Sequence, residues 1–396
     1  MRKKKLKIGL IVPQFPTYTE TFFVSQVAGL CNAGHQVIVF CHTKQPEEIL
    51  IKNFGLDKFD NLQIVNFNFY TIPFNFFKNL FTSHIYETFR SYRTFRSTVY
   101  RLLCISQMNK YECDIYHFGY SGVAIPYLDF FEKISGKKIV SCKGTAENVL
   151  SITEISRKEK LKILFQKVDS IICVSNALAS KIIQFGAIKE KIFINQPAIN
   201  VHFFETSKIS REAHESIKIL SVGRMVFQKG YMLGLLAISE LYKKFKNFTW
   251  TIAGDGPGME ELLFTINLLN LNENIFIVGR KNLNEIKNLY EAADIFFLPS
   301  VSEGIANVAL EAMAMELPVV SSDCGGMREV ITHNTDGMLC KNYCIESFSA
   351  SLLELCKNAE KRKRLGKMAR KRIVEAFAIQ RFNERYEKVY LTSLHA

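Results

Sequence analysis

A chain of 396 residues exceeds one ordinary domain, and two domains of near 200 residues are the natural division. With 48% hydrophobic and 22% charged residues the chain is globular, and no uninterrupted apolar stretch reaches the length of a membrane span. Residues 1–205 hold 26 Lys and Arg against 16 Asp and Glu, +10 of the net +13, which fits nucleic acid, anionic lipid or an anionic substrate; with no finger, RNP motif or helix-turn-helix signature, nucleic acid is not expected as a partner.

Arg2-Lys3-Lys4-Lys5 is basic, but the apolar run from Ile8 ends at Pro13, too short for a signal-peptide core. It reads as the first buried strand of a cytoplasmic protein. The loop that follows carries Thr17, Thr19, Glu20 and Thr21 at the carboxyl end of a strand, the edge where doubly wound sheets bind ligands. These four residues read equally as contacts to an acceptor or phosphate and as helix caps. A helix over 24–32 and a strand over 36–40 then give strand, helix, strand, hence a parallel sheet. Between 65 and 103, rings such as Phe74, Phe77, Tyr86 and Tyr92 alternate with Lys78, Arg90, Arg93, Arg96 and Arg101. That pattern suits contact with an anionic membrane surface, and better an aromatic face packed into the first domain. His117 closes the next strand, placed to meet a sugar hydroxyl or to sit satisfied in the core. Ile139 to Cys142 is a strand that ends at Lys143-Gly144, and Asp169 to Val174 leads into a capped helix. The ten cysteines are scattered without a C-x-x-C pair and are expected reduced and buried.

Residues 205–216 are polar and aperiodic and are read as the linker. The second half opens with a strand, Ile217 to Val222, then Gly223-Arg224 and Lys229-Gly230. Two fixed cations beside a helix start suit a diphosphate, Arg as a fork and Lys as a point charge. Further strands end at Gly254-Asp255-Gly256 and at Gly279-Arg280, and residues 378–394 form a helix with Phe382, Tyr386 and Tyr390 on one face.

The densest stretch is 299–328. A strand over 293–298 is stopped by Pro299, and apolar residues at Val308, Ala309, Ala312 and Met313 recur with helical spacing, with Ser302 read as the cap and Glu303 in or just before the first turn. Gly304 leaves room for a close approach to free N–H groups, an anion site. On a helix Glu303 and Glu311 would stand about 12 Å apart and rotated by roughly 80°, able to hold sugar hydroxyls at two ends of an elongated ligand. The alternative is a carboxylate favouring the helix dipole and another on a wet face.

The run from Pro299 to Arg328, with G-R-x4-K-G at 223–230, A-G-x-G-P at 253–257 and F-P-x-x-T-E-T-F at 15–22, resembles retaining glycosyltransferase family 4, close to its exopolysaccharide and colanic-acid branch. The resemblance implies a GT-B fold: two Rossmann-like doubly wound α/β domains facing a cleft, an acceptor domain 1–205, a nucleotide-sugar domain 206–377 and a final helix, 378–396, crossing back. It implies that Glu303 meets the donor sugar and Glu311 the ribose, that Arg224 and Lys229 hold the diphosphate, and that Gly223, Gly254, Arg280, Gly304, Ile305, Ala306 and Asn307 complete the donor site. Thr17, Thr19, Glu20, Thr21, His117 and Lys143 fall to the acceptor or sugar side. It implies a UDP- or GDP-linked donor, a glycan or lipid-linked acceptor, no cofactor and, without a D-x-D motif, no metal. The chain departs from the family at Lys143 and Ala146, where His or Arg and a following Asp are usual. Two other readings are a non-catalytic GT-B member that binds polysaccharide machinery and an oxidoreductase with two Rossmann domains, the latter opposed by Met259 in place of a third glycine.

Overall fold

The computed structural model describes residues 5–17, 20–44, 51–52, 54–67, 92–206 and 216–395, with the side chains of 21, 43, 44, 92–96 and 395 aside. Thr19, residues 68–91 of the aromatic and basic segment and residues 207–215 of the expected linker lie outside them.

Apolar runs too short for helices become strands, the central ones covered on both faces and the edge strands partly open. In the first half these are β1 (Lys7–Phe15), β2 (Gln36–Lys44), β3 (Leu62–Asn66), β4 (Ile115–Phe118), β5 (Lys137–Cys142), β6 (Ser170–Cys173) and β7 (Ile192–Ile194), in the order β3-β2-β1-β4-β5-β6-β7. In the second they are β8 (Ile217–Val222), β9 (Phe248–Ala253), β10 (Ile275–Ile277), β11 (Ile295–Leu298), β12 (Val319–Ser322) and β13 (Met338–Cys340), in the order β10-β9-β8-β11-β12-β13. All pairings are parallel; Ile11 of β1 lies beside Phe40 of β2 and Phe118 of β4, and Leu220 of β8 beside Phe296 of β11. In each sheet the chain reverses its direction of growth next to the first strand, between β1 and β4 and between β8 and β11. A crevice opens at the carboxyl ends of the strands at such a point.

The last helix, Ile379–His395, packs on the first domain: Phe382, Tyr386, Val389 and Tyr390 join a core containing Leu10 and Val39. Full burial of rings of this kind contributes about 1.5–3 kcal/mol each. Residues 199, 201 and 204 pack instead in the core of the second sheet, so the chain has crossed before the polar stretch begins. The outgoing and returning crossings lie side by side, the Ile199 N–H donating to the Phe377 carbonyl at 3.0 Å.

Of the 65–103 segment, Phe67 is buried and stacked on Phe40, and Tyr100 packs against the same core. No disulfide joins any of the ten cysteines, nine of which are buried. Among the described residues no helix is long and apolar enough to cross a membrane.

Candidate active site

At the switch between β8 and β11 two loops are knitted together. After β8 come Gly223, Arg224, a 3₁₀ turn Phe227–Lys229 and the helix Tyr231–Tyr242. After β11 the chain runs irregularly from Pro299, and its Val301 and Ser302 N–H groups donate to the Gln228 carbonyl at 2.9 and 3.4 Å. Those N–H groups are used sideways, so the helix does not start at Ser302. It spans Asn307–Ala314, with Ala306 at the cap position and no side-chain cap. Ser302 is therefore not a cap, and Glu303 lies in the loop, outside the helix whose geometry set its expected distance from Glu311.

The loop course turns Glu303 to Lys229, whose Nζ donates to Oε1 at 2.7 Å with both side chains largely buried. Arg224 is exposed beside them, with no side-chain partner among the described residues. The N–H groups of Ile305, Ala306 and Asn307 have no backbone acceptor among the described residues, as expected ahead of a first helical turn. Their side chains point elsewhere: Ile305 and Ala306 belong to the second-domain core. Glu311 accepts from the Tyr290 hydroxyl at 2.9 Å. Burial pushes its carboxyl up to about 7, against the pull of that hydrogen bond and of the Lys229 charge. Gly254 sits where a Cβ would strike the Gly223 carbonyl, so its role is to let the β9 loop support the β8 loop. Arg280 is exposed just past β10.

The first domain brings Lys143 and Glu20 to this place. Lys143, after β5, lies over the Phe22 ring at 4.1 Å, and burial pushes its ammonium down to about 8 while Glu20 opposes. Glu20 precedes the helix Thr21–Asn32 but makes no capping bond; it accepts from Tyr120 Oη at 2.7 Å, and burial raises its carboxyl. Thr17 Oγ1 is buried without a partner among the described residues. The Thr21 backbone opens that helix, and its side chain is not described.

His117 is not a ligand contact. It is fully buried, with Nδ1 meeting Tyr390 Oη at 2.7 Å and Gln26 Nε2 at 3.1 Å and Nε2 meeting Ser141 Oγ at 2.8 Å. Protonation on Nε2 alone satisfies this network, and burial drives its pKa down to about 3. It ties the returning helix to the first core.

Three residues escaped the sequence reading. Where an acid was expected the chain has Ala146, but the turn Ala146–Leu150 is π-helical and carries Glu147 inward, where Oε1 accepts from Ser121 Oγ at 2.5 Å and Oε2 from the Gly144 N–H at 3.0 Å. Asn148 Nδ2 donates to the Glu303 carbonyl at 3.3 Å across the domains. Glu329 accepts from Asn176 Nδ2, the Ala177 N–H and Gln196 Nε2 at 2.9, 3.0 and 3.1 Å. Of the three, only Glu147 had a local trace, an acid one place after the expected position. At the junction Gly304 faces the Lys143 carbonyl so closely that a Cβ would collide with it.

This arrangement places two cations, a run of free N–H groups and two carboxylates on one side of a cleft and a lysine with a carboxylate on the other. It suits an anion joined to hydroxyl-bearing rings. Among the described residues no group of three His, Cys, Asp or Glu side chains is placed to hold a metal ion.

Two family descriptions match: "Glycosyltransferase Family 4" over residues 19–203 and "Glycosyl transferases group 1" over residues 203–372. The chain is 28% identical over 377 residues to the amylovoran biosynthesis glycosyltransferase AmsK of Erwinia amylovora, covering 88% of this chain and 90% of that one. Its fold is similar to that of HepE of Anabaena in complex with UDP and glucose (TM-score 0.77, 15% identity, 98% and 100% of the two chains). It is similar also to sucrose-phosphate synthase of Thermosynechococcus elongatus (TM-score 0.78, 15% identity, 98% and 99%). At such identities the likeness speaks of the fold alone.

Proposed function

Given that the chain belongs to glycosyltransferase family 4 and is a glycosyltransferase of the GT-B fold, we propose that it moves a sugar from a UDP- or GDP-linked donor to a glycan or lipid-linked acceptor, with retention, in cell-surface polysaccharide synthesis. The relative named for amylovoran synthesis supports the pathway class, and HepE, holding UDP and glucose, supports a nucleotide sugar. One observation carries the reading: the Lys229–Glu303 pair at 2.7 Å, beside exposed Arg224, at the switch between β8 and β11 and facing the Lys143–Gly144 loop.

In the proposed reaction the bond from the anomeric carbon to the β-phosphate oxygen breaks and that carbon bonds the acceptor oxygen. The acceptor proton passes to the departing diphosphate. Arg224, Lys229 and the N–H groups of 305–307 stabilise the charge growing on that diphosphate, in a site from which closure excludes water. Lys229 also fixes the Glu303 carboxylate, which accepts from donor-sugar hydroxyls, and Glu311 accepts from the ribose. The acceptor approaches from Thr17, Glu20 and Lys143, at the inner face of the cytoplasmic membrane.

The test is thermal unfolding against UDP, GDP, ADP and their sugars without added metal. One nucleotide is expected to raise Tm, and the rise to vanish in Arg224→Ala. A folded protein that responds to none would overturn the donor assignment. Proton NMR of the product is expected to show the donor's anomeric configuration preserved; the opposite anomer would refute retention.

A further inference from the structure

The segment after β12 lies against both domains. Met327 and Val330 of its short helix, Met327–Val330, are fully buried in the second-domain core and fix the segment to that domain. Ahead of them Gly325 and Gly326 press on the loop that carries Glu303. A Cβ at Gly325 would strike the Glu303 carbonyl and one at Gly326 the Gly304 carbonyl, to which the Gly326 N–H donates at 2.8 Å. Gly326 also backs onto Ser175 of the first domain.

Glu329, between the two buried residues, turns its carboxylate to the first domain. Ser175 caps the helix Asn176–Gln184 with its Oγ, which accepts from the Leu178 N–H at 3.1 Å. The Ala177 N–H is left over from the first turn and donates to Glu329 at 3.0 Å, beside Asn176 Nδ2 at 2.9 Å. The helix dipole favours an anion at that end. Gln196 Nε2, also of the first domain, supplies the third bond at 3.1 Å. Cations of the second domain do not compete for the carboxylate: Arg328 pairs with Asp323, and Arg372 donates to the main-chain carbonyl of Glu329 at 2.9 Å. Every side-chain hydrogen bond of Glu329 among the described residues therefore crosses between the domains, and the fold of its own domain gains nothing from them.

We infer that Glu329 is a positioning residue for the transfer. It holds the first-domain helix against Gly326 and, through Gly325 and Gly326, sets the place of Glu303 against the Lys143–Gly144 loop, without touching donor or acceptor. This rests on Glu303 meeting the donor sugar, as proposed above. The first domain then bears on the donor loop from two directions: directly, by Asn148 Nδ2 on the Glu303 carbonyl at 3.3 Å, and indirectly, by Glu329.

The experiment joins small-angle X-ray scattering of the nucleotide-free chain to release of nucleoside diphosphate from UDP-glucose, UDP-galactose and GDP-mannose, with water as the acceptor. Glu329→Ala is expected to enlarge the radius of gyration and to lower kcat roughly tenfold or more, with the donor KM unchanged. The nucleotide-induced rise in Tm is expected to remain, which shows that the variant folds. Glu329→Gln keeps one oxygen for the Ala177 N–H and is expected to fall between the native chain and Glu329→Ala. Asn176→Ala, on the first domain, is expected to lose less, and the double variant to be no slower than Glu329→Ala alone. Losses that multiply in the double variant overturn the inference, as does a native kcat in Glu329→Ala. A native chain that releases nucleotide from none of the three sugars would instead refute the donor reading. Scattering then decides by itself: a larger radius in Glu329→Ala supports the hold between the domains, and a curve that superimposes on the native one overturns it.

Discussion

Glu311→Gln isolates a charge that the fold holds at a cost. Burial pushes the Glu311 carboxyl from 4.5 up to about 7, and the Tyr290 hydrogen bond and the Lys229 charge only partly oppose it. A folded pKa above the unfolded one means that the folded state binds the proton more tightly. The associated stability is fully present below pH 4.5 and is lost as pH rises through 7. At about 1.4 kcal/mol per pKa unit, the loss between pH 4.5 and 7.5 is on the order of 3 kcal/mol. Glutamine copies the protonated form and still accepts from Tyr290. The variant is therefore expected to match the native chain near pH 4.5 and to exceed it by about 3 kcal/mol at pH 8. For a unit of 150–250 residues each kcal/mol moves Tm by roughly 2–4 °C. The assay is calorimetric unfolding of both proteins without nucleotide at half-unit steps from pH 5 to 8. Their difference removes contributions they share. His117 supplies one of these with opposite sign: its pKa is pushed down to about 3, so its stability is present above 6.5 and is lost as pH falls. A Tm gap that stays constant across the range would refute the argument that burial sets the state of Glu311.

Three further substitutions separate chemistry from scaffold. Glu303→Gln is expected to lower turnover by roughly 10²-fold or more while nucleotide affinity changes little, because a group aimed at the reacting sugar acts on the transition state; undiminished turnover with donor and acceptor present would sink the assignment. Gly304→Ala places a Cβ against the Lys143 carbonyl and the Val174 side chain. Turnover should fall with the nucleotide-induced Tm rise retained, and a fully active variant would show that the two loops need not meet. Tyr390→Phe removes the hydroxyl that joins Gln26 at 2.9 Å and His117 at 2.7 Å. The expected loss is about 1–3 kcal/mol in urea unfolding with nucleotide affinity unchanged; a larger effect on affinity than on stability would return His117 to the binding site.

What the sequence displayed was governed by local rules. Strands in the middle of a parallel sheet are short apolar runs, and a glycine or proline follows most of them within three residues, so the two parallel sheets were legible from Ile8, Ile217 and their successors. The loop motifs were legible too, because a cation beside a helix start has few other uses. What escaped depended on partners distant in the chain. Nothing near Ser302 reveals that Gln228 takes the adjacent N–H groups and delays the helix to Asn307. His117 sits in an apolar run whose face is decided by Tyr390, 273 residues later. Glu147 stands one place after the expected acid, and its inward course is set by Ser121 and the Gly144 N–H, neither of which a motif displays.

The contacts between the domains also bound how far they are held shut. The two crossings run together at Ile199 and Phe377, so rotation about that line strains one place in the backbone. Among the described residues four hydrogen bonds also join the domains, one from Asn148 to the Glu303 carbonyl and three to Glu329. At about 1 kcal/mol net for the neutral bond and about 1.5–3 kcal/mol for each bond to the carboxylate, the bonds that separation would break amount to several kcal/mol. A nucleotide present at a hundred times its Kd contributes about 2.7 kcal/mol to the state that binds it. Both terms favour the arrangement in which the domains meet, so a nucleotide that touches both is expected to add to the contacts that hold them together.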